Sequence, residues 1–138
     1  MKAMTSGLII MASVCIITKK YQIRCSHLLG DCTPDDIKTK ETSMHGHHMD
    51  VMVSFKGHID KDSGLTIDRD HADQVIKTTI LNKYDKSCLN NFIAIPTGEN
   101  LVLAITNDLL ASELSKQIHQ VQLKETNKNF FSGPLCNE

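Results

Sequence analysis

The chain has no tryptophan, and aromatic residues make up only 4% of its 138 positions. Few rings are on hand to stack on nucleobases. It also lacks an excess of either charge: fifteen Lys and Arg stand against sixteen Asp and Glu, for a formal net charge of −1. That balance provides no broad cationic face for a phosphate backbone, so no nucleic-acid partner is expected. The five cysteines are odd in number and irregularly spaced, without a Cys-x-x-Cys pair. Neither a disulfide framework nor a thiolate zinc knuckle follows, and a reducing, cytoplasmic setting is expected. Long apolar runs are missing too. The stretch from Gly7 to Ile17 falls short of the roughly 20 residues that a spanning helix needs. It is flanked by Lys2 and by Lys19-Lys20, with no evident small-residue cleavage site, and reads as a buried strand rich in Ile. No membrane partner is expected.

What is present is ordinary globular usage, 41% apolar and 22% charged, over one domain of residues 1–138. Alternation dominates the first half. Tyr21, Ile23, Cys25 and His27 share one face of an extended run, and Met49, Val51, Val53 and Phe55 share one face of another. Residues 57–64 resemble a hairpin loop leading into a short strand around Leu65 to Ile67. Asp60 and Asp62 before Gly64 suggest a calcium loop only faintly, because the other ligands and the closing Glu are missing.

Two helices follow. Ala72, Val75, Ile76, Thr79 and Ile80 keep helical spacing after the acidic Asp68 and Asp70. Thr97 is placed to cap a second helix whose apolar stripe is Leu101, Ile105 and Leu109. A strand with Val121, Leu123 and Glu125 on one face comes next, then a short one around Phe130 to Ser132. The fold class expected is α+β: a four-stranded antiparallel sheet with two helices on one face. The stretch from Gly30 to Thr42 is a long loop of the kind that often carries function.

Seven histidines are many for this length, and three fall within residues 45–48. His45 and His47 lie two apart, hence on one strand face, which continues into Met49, Val51 and Val53. His27 ends the inward face of the earlier strand, while His48 lies on the opposite face. Three imidazoles meeting at strand ends make an open, catalytic type of zinc site. The plain alternative is three histidines of the core.

Several short motifs occur together and in order: Cys25-Ser26-His27, His45-Gly46-His47, Ser63-Gly64, Asp85 ahead of Leu89-Asn90, Pro96-Thr97-Gly98-Glu99-Asn100 and Lys124-Glu125-Thr126. On these the chain resembles the 6-pyruvoyl-tetrahydropterin synthase and 6-carboxy-tetrahydropterin synthase family over about residues 21–133. The resemblance implies a tunnelling fold, with subunit sheets closing into a barrel as a homo-oligomer, a trimer or a hexamer. It implies zinc (Zn2+) held by His27, His45 and His47, and a pterin triphosphate substrate, 7,8-dihydroneopterin triphosphate.

It also assigns Glu125, Glu99 and Thr97 to the substrate. A carboxylate suits the guanidine-like edge of a pterin, which it can engage in bidentate fashion. Without the resemblance, Glu125 reads as a strand-end acid, Glu99 as a first-turn charge and Thr97 as the cap.

The chain departs from the family pattern at two places. Four residues ahead of His-Gly-His, where the synthases carry a catalytic Cys, stands Glu41. Glu is already ionised at neutral pH and can serve as a base. It resembles the type III branch, which is associated with cleaving the side chain to 6-hydroxymethyl-7,8-dihydropterin for folate biosynthesis. Cys32 is the alternative thiol, although it lies well upstream. The family's Asp-His dyad is Asp85-Lys86 here. Lys86 is open to three readings: a base of lowered pKa, a fixed cation for the triphosphate, or a plain loop lysine. His71 is a possible substitute imidazole, and Cys88 a small packing residue.

The expectation is therefore a zinc-dependent lyase with Glu41, Asp85 and Lys86 as catalytic candidates. The alternatives are 6-pyruvoyl- or 6-carboxy-tetrahydropterin formation, or a non-catalytic zinc- and pterin-binding homologue.

Overall fold

The computed structural model describes residues 13–27, 45–125 and 129–138; the side chains of His27, His45 and His47 are not described. Strands β1 (Val14–His27) and β2 (His45–His58), each 14 residues long, form an antiparallel ladder. Its register runs from Val14 opposite His58 to His27 opposite His45. After β2 come helix α1 (Arg69–Ile76), a π-helical turn (Lys77–Leu81), α2 (Asn82–Tyr84), strand β3 (Ser87–Cys88) and helix α3 (Gly98–Leu110). Strands β4 (Ile118–Glu125) and β5 (Asn129–Ser132) complete the described chain.

The sheet has five strands in the order β3-β1-β2-β4-β5. It is mixed rather than four-stranded and antiparallel, because β3 pairs in parallel with Cys25 and Ser26 at the outer edge of β1. A two-residue strand has no periodicity of its own. Only tertiary placement defines it.

Alternation along β1, β2 and β4 builds the inward face from Ile23, Cys25, Met49, Val51, Val53, Phe55, Val121 and Leu123, all buried. Ala72, Val75, Ile76 and Ile80 from the first helical segment meet Leu101, Val102, Ile105 and Leu109 of α3 in the same cluster. Burial of each such aliphatic side chain is worth about 1.5–3 kcal/mol. The Asp68 carboxylate caps α1 by accepting from the His71 backbone N–H (3.1 Å), and the Thr97 hydroxyl accepts from that of Asn100 (3.2 Å). The Thr78 hydroxyl donates to the carbonyls of Gln74 and Val75, both at 3.1 Å. Such back-bonding competes with the helical ladder and accompanies the π-helical turn.

Two expectations are corrected. Residues 65–67 form no strand, since both edges of β2 are already taken by β1 and β4. The Asp60 carboxylate instead accepts from the Asp62 and Ser63 N–H groups (3.1 and 2.8 Å), and the Asp60 N–H bonds to the Leu65 carbonyl. The Asp therefore does turn work. Val14 and Ile16 are exposed rather than buried, because alternation along β1 puts them on the face opposite Ile23 and Cys25; Cys15 is exposed as well. Residues 7–12 of the same apolar stretch lie outside the described residues. Among the described residues no helix is long and apolar enough to cross a membrane.

Candidate functional site

One end of the sheet gathers the chemistry. In the ladder His27 lies opposite His45, and Cys25 opposite His47. Directly opposed residues share a face, so positions 25, 27, 45 and 47 extend the inward face beyond Ile23 and Met49. Glu125 pairs with Met49 and so joins that face at the same end. Two further signs agree. Glu125 is only half-buried although Val121 and Leu123, four and two residues earlier, are fully buried. Burial, and then the Glu125 and Asp85 carboxylates, push the Cys25 thiol up to about 11. Both carboxylates therefore flank Cys25.

The opposed His27 and His45, with His47 one step along the same face, fit a three-imidazole donor set. Neutral nitrogen ligands from strand ends suit zinc and leave a position open. Among the residues whose side chains are described, no other His, Cys, Asp and Glu group is arranged to hold a metal ion.

Asp85 and Lys86 sit at the outer edge of β1, joined to Arg24 by a backbone clasp. The Asp85 carboxylate accepts from the Arg24 backbone N–H at 2.8 Å and lies 3.6 Å from its guanidinium. The Lys86 N–H in turn donates to the Arg24 carbonyl. The Arg24 N–H and then its guanidinium hold the Asp85 carboxyl below the usual carboxylate range. Lys86 takes a left-handed φ of 59° to close the clasp. A non-glycine residue in that region costs about 1–2 kcal/mol, which the two flanking hydrogen bonds sustain. Lys86 is exposed, and Cys88 is half-buried two residues on. His71, near the start of α1, lies 3.8 Å from Glu113, whereas Asp85 is held at Arg24.

Thr97 and Glu99 flank the start of α3. Thr97 is the cap, and Glu99 is an exposed first-turn acid. Gly98 between them faces the Phe131 ring of β5, where a β-carbon would overlap the ring. Phe131 pairs with Leu123, two residues before Glu125. The Gly98 contact thus seats the Thr97–Glu99 turn at the end of the sheet that carries Glu125. Glu41, Cys32 and the rest of residues 30–42, expected to form a loop, as well as Thr126, lie outside the described residues. Arg24 was absent from the sequence-based set, although it is one of only two arginines in the chain and directly precedes Cys25-Ser26-His27.

These features define an α+β sheet protein that concentrates imidazole and carboxylate positions at one strand end. The 6-pyruvoyl tetrahydropterin synthase family profile matches residues 16–133, and the chain belongs to that family of pterin-synthesis lyases. The 6-pyruvoyl tetrahydrobiopterin synthase of Dictyostelium discoideum is 26% identical over 133 residues, 87% of this chain and 96% of that protein. The fold resembles that of Caenorhabditis elegans 6-pyruvoyl tetrahydropterin synthase, with a TM-score of 0.75 and 19% identity over 87% of this chain and 94% of that one. It also resembles a Plasmodium vivax 6-pyruvoyltetrahydropterin synthase described as a catalytic-residue mutant, glutamate to alanine. There the TM-score is 0.64 and the identity 14%, over 87% of this chain and 96% of that one.

Proposed function

We propose that this chain is a zinc-dependent lyase that cleaves the side chain of 7,8-dihydroneopterin triphosphate, giving 6-hydroxymethyl-7,8-dihydropterin. The observation that carries the reading is the gathering of positions 27, 45 and 47 with Glu125 on one face, beside Asp85. Glu125 and Glu99 accept hydrogen bonds from the guanidine-like edge of the pterin and fix its orientation. The Thr97 hydroxyl keeps its capping bond, and its backbone helps hold Glu99.

Zinc, held by His27, His45 and His47, supplies Lewis-acid polarisation of the substrate's side-chain oxygens when bound. Glu41 serves as the base. It takes the proton of the second side-chain hydroxyl, and that carbon becomes the aldehyde of the departing two-carbon triphosphate fragment. The bond between the first and second side-chain carbons breaks, its electron pair passes into the conjugated pterin ring, and a proton returns to the first carbon. Asp85, held ionised by the Arg24 clasp, keeps negative charge near this proton traffic. The Plasmodium vivax protein, with its catalytic glutamate, supports a carboxylate in this role.

Assembly is supported by the edge of β1, which among the described residues is paired with β3 only at Cys25 and Ser26. Open edges need partners, and closure against other subunits into a homo-trimer or hexamer supplies them. A cytoplasmic setting suits the cysteines described, all of them free.

The test is a single-turnover experiment on Glu41→Gln with zinc present. Bound but unconverted substrate, with turnover lower by about 10²–10⁴-fold, supports the assignment. Unchanged turnover removes Glu41 from the mechanism. Lys86 in place of the dyad's His favours one second reading, a pterin-binding homologue without turnover. Wild-type protein that binds the pterin and consumes none would establish it.

A further inference from the structure

We propose that Tyr84 and Asp108 are a positioning pair for Asp85: the bond between hydroxyl and carboxylate fixes the turn that carries Asp85 to helix α3. This rests on the lyase reading above, in which Asp85 keeps charge near the proton traffic, and adds to it the residues that hold that charge in place. Tyr84 is 1% exposed and closes α2, one residue before Asp85. Its hydroxyl donates to the Asp108 carboxylate, and the Lys83 ammonium reaches the same oxygen at 3.1 Å. The Lys83 nitrogen also lies over the rings of Tyr84 (5.0 Å) and Phe92 (5.5 Å), which meet edge to face with centroids 5.6 Å apart. Burial and then the Asp108 carboxylate push the Tyr84 hydroxyl up, so it stays a donor.

Packing alone does not call for this arrangement. A phenyl ring would fill the same buried space and need no hydrogen-bond partner. Asp108 stands in the last turn of α3, where a carboxylate opposes the helix dipole. What the bond does is anchor one end of a strained turn. Asp85 leaves the helix with an extended backbone, its N–H bonded to the Leu81 carbonyl (2.9 Å), and the Ser87 hydroxyl donates to the Tyr84 carbonyl (2.6 Å). Between them Lys86 holds its left-handed φ. Such a conformation persists only when the surrounding structure over-determines it. The Arg24 clasp holds the strand side, and the Tyr84–Asp108 bond holds the helix side. Without the helix-side anchor the turn can relax toward an ordinary φ and carry the Asp85 carboxylate off the Arg24 N–H, away from Cys25.

The test uses the zinc-loaded full chain and the variants Tyr84→Phe, Asp108→Leu and Asp108→Asn. The last keeps an acceptor for the hydroxyl but not the ion pair with Lys83. With dihydroneopterin triphosphate, kcat should fall about tenfold in Tyr84→Phe and Asp108→Leu with KM unchanged, and Asp108→Asn should recover most of the loss. Amide hydrogen exchange, read by NMR, should quicken in the same two variants at Arg24 and Lys86, whose N–H groups make the clasp. It should stay slow at Val51, in the middle of the ladder. Unchanged kcat in the Phe and Leu variants overturns the pair. So does exchange that is unaltered at Arg24 and Lys86, or quickened as much at Val51, the sign of a merely structural role. Asp108→Asn falling as far as Asp108→Leu also overturns it, since the effect would then belong to the ion pair. If the wild type converts no substrate, the lyase reading falls and amide exchange alone decides the pair.

Discussion

The middle of the β1–β2 ladder and its histidine end are continuous in backbone and opposite in content. In the middle, Ile23, Met49, Val51 and Val53 are buried, and each is accounted for by packing against the helices. At the end, the same inward face carries Cys25, the imidazole positions and Glu125, and the neighbouring turn forces Lys86 to a φ of 59°. The register is set by the first region and used by the second. A ladder fixed by buried aliphatics cannot slip by one residue without turning its apolar side chains to solvent. That rigidity holds titratable groups together at the end, where they would otherwise repel or fray.

Substitutions at the two regions should fail in different ways. The largest effect is expected from His47→Ala: turnover drops by about a thousandfold or more and zinc content by elemental analysis falls, with little change in melting temperature. Retained zinc would remove His47 from the ligand set. Leu123→Ala, in the packed region, should do the reverse. It costs about 2–5 kcal/mol in denaturant unfolding and leaves bound zinc stoichiometric.

Gly98→Ala joins the two regions, because its β-carbon meets the Phe131 ring. It should destabilise by about 1–3 kcal/mol and also weaken pterin binding, since Glu99 follows directly. Loss of stability with unchanged pterin affinity would separate Glu99 from the substrate.

The smallest effect is at Asp85. Its folded pKa lies below the ordinary carboxylate value, so its contribution is fully present above about pH 4 and is lost as pH falls through the depressed folded value. Asp85→Asn should therefore lower stability by about 1 kcal/mol at neutral pH, and the difference from wild type should vanish in acid. A difference that persists in strong acid would show that charge is not what holds the clasp.

Much of the packed region is legible in the sequence, since alternation and helical spacing report burial directly. The inward strand faces, the stripe from Ala72 to Ile80 and the cap at Thr97 all follow from local pattern. What is not legible depends on neighbours distant in sequence. Strand β3 exists because Ser87 and Cys88 reach the edge of β1 after Arg24 and Asp85 have joined. The absence of a strand at 65–67 reflects edges already occupied, and the exposure of Val14 and Ile16 reflects the outward face of β1 on which they fall. For the site, the motifs name the imidazoles and Glu125, and register then brings them to one face. Arg24 escapes because an exposed strand arginine has no local signature. Only the clasp reveals it.

The most direct measurement is mass analysis of the products after zinc-loaded protein is incubated with dihydroneopterin triphosphate. The account predicts 6-hydroxymethyl-7,8-dihydropterin together with a two-carbon triphosphate fragment. A pyruvoyl or carboxy pterin, or substrate recovered intact, would contradict it.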